Sequence, residues 1–173
     1  MKLQVKVSNR HPWARLLRVP NLFTVPGDVL AGYAAASAVA EPDSEARLAV
    51  ALLGAVFLYA AGLAMNDLMD AETDRRERPS RPIPSGAISA GAVRALVAAL
   101  LGGAMVMLGL ASLPLLGAGL ITGGLAFLYN AAAKRHRIAG PLVMGLCRAG
   151  SVSIGIAAAG VAGFARPEAL AVM

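Results

Sequence analysis

The chain has 173 residues, 57% of them apolar and only 15% charged, with a further 19 glycines; a soluble domain carries roughly 25% charged residues, so the polar surface is too small to cover a water-facing fold. A single cysteine, Cys147, excludes an intramolecular disulfide and any multi-cysteine zinc or iron-sulfur centre. The net charge of +6 does not gather on one continuous face, as nucleic-acid binding requires, but falls in the gaps between apolar runs.

A hydrocarbon core about 30 Å thick needs about 20 mostly apolar helical residues per crossing. Five such runs are present, at 22–40, 48–65, 93–111, 115–133 and 138–164. The predicted fold is therefore all-α, a polytopic transmembrane helix bundle forming one domain. In the first run Pro26 and Asp28 interrupt the apolar pattern; Asp28 is either a polar residue turned to the bundle interior with a hydrogen-bond partner or a group that meets substrate. The basic start, the apolar run and Ala38-Val39-Ala40 share the form of a secretory signal peptide, a minor reading, because the later spans hold the chain in the membrane in either case. Residues 93–133 would make a single helix about 60 Å long, twice the core thickness, so a tight turn at Ser112-Leu113-Pro114 and two antiparallel spans are predicted. Gly119-x-x-x-Gly123, Gly102-Gly103 and Gly123-Gly124 let helices approach closely, within the bundle rather than at a dimer seam. The fifth run holds Arg148, for which an acidic or carbonyl partner or a place in a polar cavity is expected.

Basic residues alternate along the chain. Lys2, Lys6, Arg10, Arg15 and Arg18 precede the first run; Arg75, Arg76, Arg78, Arg81 and Arg94 lie between the second and third; Lys134, Arg135 and Arg137 follow the fourth. The intervening segments carry Arg47 beside Glu41, Asp43 and Glu45, nothing at the Ser112 turn, and Arg166 beside Glu168. The chain is read as a multi-pass protein of the cell membrane with a cytoplasmic N-terminus, Trp13 serving as an interfacial anchor.

Five of the ten acidic residues fall within 67–77, where the second run ends. Helical spacing puts Asn66, Asp67, Asp70 and Asp74 within about one third of the circumference. Such carboxylates repel one another unless a cation sits among them, and hard oxygen donors select magnesium or calcium, with Mg2+ favoured where phosphate is shared. The other reading is a solvated helix end whose acids pair with the following arginines; the depth of the cluster, still emerging from the span, favours function.

Asn66-Asp67-x-x-Asp70-x-x-x-Asp74, followed by Arg78-Pro79-x-Arg81-Pro82-Ile83-Pro84-Ser85-Gly86, resembles the first aspartate-rich motif and following loop of the UbiA superfamily of intramembrane prenyltransferases. Tyr129-Asn130-x-x-x-Lys134-Arg135 is similar to the family's segment at the end of span four, and Gly145-Leu146-Cys147-Arg148 resembles the EboC-like branch. The resemblance implies a helical bundle opening toward the cytoplasm, in which Mg2+ grips the diphosphate of an isoprenyl donor. The allylic cation then alkylates a lipophilic or aromatic acceptor. It makes Asn66, Asp67, Asp70 and Asp74 the metal ligands, with the three aspartates as catalytic groups. Arg78, Arg81, Lys134 and Arg135 become the diphosphate contacts. Each cation has a plainer role in the positive-inside pattern, beside anionic membrane lipid. Tyr129 either orients substrate or marks the interface, and His136 is expected in an exposed loop.

The family's usual nine spans and second aspartate-rich motif are not complete in these 173 residues, and Arg166-Pro167-Glu168 reads as a helix start. The expectation is an N-terminal part of a longer chain. Beside the prenyltransferase stands a non-catalytic relative serving lipid or metabolite trafficking, or a truncated inactive form. A transporter has only Asp28 and Arg148 in its favour, and the Asp-Gly and Ala-Arg context of a CDP-alcohol phosphotransferase is missing.

Overall fold

The structure is a computed structural model and describes residues 11–39, 41–42 and 44–160. Lys2, Lys6, Arg10, Asp43, the end of the fifth predicted span at 161–164, and Arg166-Pro167-Glu168 lie outside the described residues. The described elements are helical: α1 (Pro12–Leu16), α2 (Val19–Leu22), α3 (Val25–Ser37), α4 (Glu45–Met69), α5 (Ala71–Glu77), α6 (Ala90–Ala111), α7 (Leu113–Ala131), a 3-10 turn (Ala133–Arg135) and α8 (Ala139–Ala159).

Among the described residues four helices, α4, α6, α7 and α8, are long and apolar enough to cross a membrane. The first predicted span differs. Its main helix, α3, has 13 residues, about 20 Å of rise, and is preceded by the four-residue α2. Proline is the cause: Pro20 and Pro26 each sit in the first turn of a helix, where the missing N–H cannot tie back to the preceding turn. Phe23 and Thr24, between the two helices, keep right-handed helical angles.

The turn between α6 and α7 is a single extended residue, Ser112, whose hydroxyl accepts the Leu115 N–H at 3.3 Å. This cap satisfies one of the orphan donors at the helix start, and Pro114 in the first turn has no N–H to orphan. Leu108, fully buried, is the knob that joins three helices: a Cβ on Gly54 of α4 would stand 2.7 Å from it, and one on Gly119 of α7 2.6 Å. Gly119 and Gly123, which contacts Leu58, thus serve packing within the chain. Helices α3 and α8 meet backbone to backbone, because a Cβ on Gly32 would fall on the Val152 carbonyl and one on Gly155 on the Val29 carbonyl. Leu110, Leu113, Ile121, Phe127 and Leu142 face outward, as lipid-facing side chains do.

At the end of α4 a second small core forms from Leu16, Ala64, Ile88 and Val93, with Trp13, Leu17, Leu68 and Ile83 packed on it. It brings α1 and the 78–89 loop around the acidic segment. Asp70 closes α4 and opens α5, so the cluster sits at a helix junction.

Candidate functional site

The oxygen-rich face of α4 and α5 is bracketed by cations arriving from three other segments. Arg81 Nη1 lies between two carboxylates, donating to Asp67 Oδ1 at 3.1 Å and Asp74 Oδ2 at 2.8 Å. Arg18 Nη2 donates to the same Asp67 oxygen at 2.7 Å. Lys134 Nζ lies between Asn66 Oδ1, at 3.3 Å, and Asp70 Oδ1, at 2.7 Å. The predicted single face is therefore held as two pairs: Asp67 with Asp74 on the arginine side, and Asn66 with Asp70 on the lysine side. Asp67 and Asp74 are buried, which their fixed partners make tolerable.

Arg78 and Arg135 are exposed and make no ion pair among the described residues. Arg75 and Arg76 are spent on exposed Glu72. His136 is exposed, as expected for a loop residue, whereas Tyr129 lines the central cavity.

Arg18 was legible only as a topology charge. Its backbone is left-handed, φ 45° and ψ 51°, a conformation that costs a non-glycine residue about 1–2 kcal/mol. That twist separates α1 from α2 at the residue whose guanidinium reaches buried Asp67. Arg15 anchors the same segment by donating to the Ser80 carbonyl at 2.7 Å. No local pattern marks Arg18; the only clue is that a carboxylate at Asp67's depth needs a cation.

Beside the acidic segment opens a cavity of about 420 Å³. Val25, Ala55, Leu58, Leu63, Ala126 and Met144 form its apolar wall, and Arg18, Asp28, Asn66, Tyr129, Asn130 and Arg148 its polar one. Asn66 thus connects the cavity to the lysine-side pair. Arg148 finds the acidic partner expected for it: its Nη2 donates to Asp28 Oδ1 at 2.6 Å across α8 and α3. Asn130 Nδ2 donates to the carbonyls of Gly62, at 3.3 Å, and Ala126, at 2.9 Å, and its Oδ1 is buried without a partner.

Three carboxylates and an amide are hard oxygen donors of the kind Mg2+ takes. Among the described residues no three acidic, histidine or cysteine side chains converge closely enough to hold a metal unaided. The two protein cations that bridge oxygen pairs, Arg81 and Lys134, show nevertheless that each pair brackets a point of positive charge. The donor chemistry fits a hard cation that shares its coordination with a bound phosphate.

Residues 28–173 match the model of the UbiA prenyltransferase family. The chain is similar to digeranylgeranylglyceryl phosphate synthase of Metallosphaera sedula, 32% identical over 145 residues covering 84% of this chain and 50% of that protein. With the protein of the same name in Ignicoccus hospitalis it shares 36% over 144 residues, 83% of this chain and 46% of the relative. The chain spans about half the length of the curated relatives it matches. A solved structure of digeranylgeranylglyceryl phosphate synthase superposes with a TM-score of 0.76 at 26% identity, over 85% of this chain and 52% of that one. A UbiA homolog from Archaeoglobus fulgidus bound to GPP and Mg2+ superposes at 0.72, with 18% identity over 86% of this chain and 54% of that one, a likeness of fold. With four membrane-length helices among the described residues, the chain is a multi-pass membrane protein.

Proposed function

The chain belongs to the UbiA prenyltransferase family, and from that membership we propose that it acts in Mg2+-dependent transfer of an isoprenyl group from its diphosphate to a lipophilic or aromatic acceptor. The observation that carries the proposal is the acidic helix junction at the edge of an apolar-walled cavity, with Asn66 belonging to both. Asn66, Asp67, Asp70 and Asp74 would hold the metal, which supplies positive charge to the departing diphosphate. Lys134 and Arg81, already poised over these oxygens, would turn toward phosphate as it arrives, a guanidinium fork and an ammonium point charge in complementary roles. Exposed Arg78 and Arg135 are available to the outer phosphate oxygens. The apolar wall of Leu58, Leu63 and Met144 would hold the prenyl tail and keep water from the developing allylic cation.

The proposed orientation places this end of the bundle at the cytoplasmic face of the cell membrane, N-terminus included. Its support is that Arg15, Arg18, Arg81 and Lys134, from three separate basic segments, converge on one helix end. A non-catalytic lipid-binding relative is the second reading, favoured by the fact that protein cations already balance Asp67, Asp70 and Asp74. Turnover of labelled geranyl diphosphate by the full-length protein in detergent separates the two. Activity that requires Mg2+ and vanishes in Asp70→Ala and Asp74→Ala supports the transferase; undiminished activity in both removes the metal assignment.

A further inference from the structure

We propose that Arg148 binds the phosphate head of a lipid acceptor inside the cavity, with Asp28 as the resident counter-ion that competes for the same guanidinium. The proposal rests on the transferase reading. Arg148 lies nine residues, about 14 Å, inside α8 from its Ala139 end, yet its side chain is 65% exposed, against 20% for Asp28. A guanidinium that open within a span is costly against hydrocarbon; it belongs to the polar wall of the cavity that it lines together with Asp28. The pair is not what holds its helices together, since α3 and α8 already meet backbone to backbone at Gly32 and Gly155.

The chemistry of the guanidinium defines the ligand. Among the described residues its one hydrogen bond runs from Nη2 to Asp28 Oδ1, at 2.6 Å. Arginine carries five N–H donors and no acceptor, so most of the fork is unspent. Phosphate is the group that takes several such donors at once, in bidentate geometry. The logic is that of Arg81 and Lys134, cations held by carboxylates until phosphate arrives. The two places are separate, because Lys134 stands before the Ala139 end of α8 and Arg148 well inside that helix. A donor diphosphate at the acidic junction therefore leaves Arg148 for a second anion.

The walls indicate what carries that anion. Met144, one turn from Arg148 on α8, and Val25, one turn from Asp28 on α3, line the same cavity with Ala55 and Leu58. A free phosphate gains nothing from these apolar side chains, whereas a phosphate at the end of a hydrocarbon chain buries that chain against them.

The test is native mass spectrometry of the full-length protein released from amine-oxide micelles, with oleoyl lysophosphatidate, monooleoylglycerol and inorganic phosphate as probes. The unsubstituted protein is expected to prefer lysophosphatidate to the glyceride by at least about tenfold, the scale of one hydrogen bond to a charged group. Inorganic phosphate at the same concentration should not displace it. Asp28→Asn removes the competing carboxylate and should tighten lysophosphatidate binding about two- to fivefold, the worth of an exposed ion pair. Adding Arg148→Gln to Asp28→Asn removes the guanidinium without stranding a carboxylate, and should abolish the preference over the glyceride. Equal binding of lysophosphatidate and glyceride by the unsubstituted protein overturns the proposal without recourse to any variant. Weaker lysophosphatidate binding in Asp28→Asn, the result a purely structural pair would give, overturns it too, as does a preference that survives the double variant. Displacement by inorganic phosphate overturns the lipid as the source of the anion. Mg2+-dependent binding of geranyl diphosphate, recorded in the same spectrometer, reports separately on the transferase reading.

Discussion

Replacing Arg81 by methionine tests whether the arginine-side pair is held by charge. Arg81 is the cation between Asp67 and Asp74, whose side chains are 6% and 5% exposed, and its own side chain is 24% exposed. Removing one partner of a buried pair costs about 3–5 kcal/mol, because the other charge is left uncompensated. Asp67 keeps Arg18 at 2.7 Å, whereas Asp74 keeps no ion pair among the described residues, so the loss falls mainly on one carboxylate. Water reaching the space left by a quarter-exposed side chain puts the cost near the lower end, about 3 kcal/mol. Arg81→Met with Asp74→Asn removes charge and counter-charge together, and should cost about 1 kcal/mol, about 2 kcal/mol less than Arg81→Met alone. The assay is unfolding of the protein in mixed micelles titrated with sodium dodecyl sulfate and followed by far-ultraviolet circular dichroism. Additive single and double variants would refute the reasoning.

In Arg81→Met, Mg2+ meets an uncompensated Asp74 beside Asp67, so saturating metal should restore about 1–3 kcal/mol, more than it adds to the unsubstituted protein; the same titration with added MgCl2 measures it. Gly155→Ala should cost about 3 kcal/mol because its Cβ falls on the Val29 carbonyl. Gly124→Ala, with nothing within 4 Å of the new atom, should change stability by no more than about 0.5 kcal/mol. Leu108→Ala empties the knob between Gly54 and Gly119 and should cost about 2–5 kcal/mol, with loosening of α6 visible as faster amide hydrogen exchange.

What the sequence disclosed depended on the range of the interaction. Ser112-Leu113-Pro114 could be read because it breaks an apolar stretch too long for one crossing, and helix phase alone puts Asn66, Asp67, Asp70 and Asp74 near one face. The partners that divide this face reach in from far along the chain, Lys134 to Asn66 over 68 positions and Arg18 to Asp67 over 49, and no periodicity encodes such a distance. Arg148 was readable as a residue in need of a partner, but its choice of Asp28, 120 positions away, depends on the seam between α3 and α8. The prolines of the first run were visible, while the break between α1 and α2 depends on Arg18 adopting a left-handed backbone, which propensity gives no reason to expect.

The central claim is that the acidic helix junction binds a metal-bridged isoprenyl diphosphate. Isothermal titration of geranyl diphosphate into the full-length protein, with MgCl2 and again with chelator, tests it most directly. Binding should require Mg2+ and weaken by at least about tenfold, the worth of one charge-assisted contact, in Asp70→Asn. Equal affinity with and without metal, unchanged in Asp70→Asn, would contradict it.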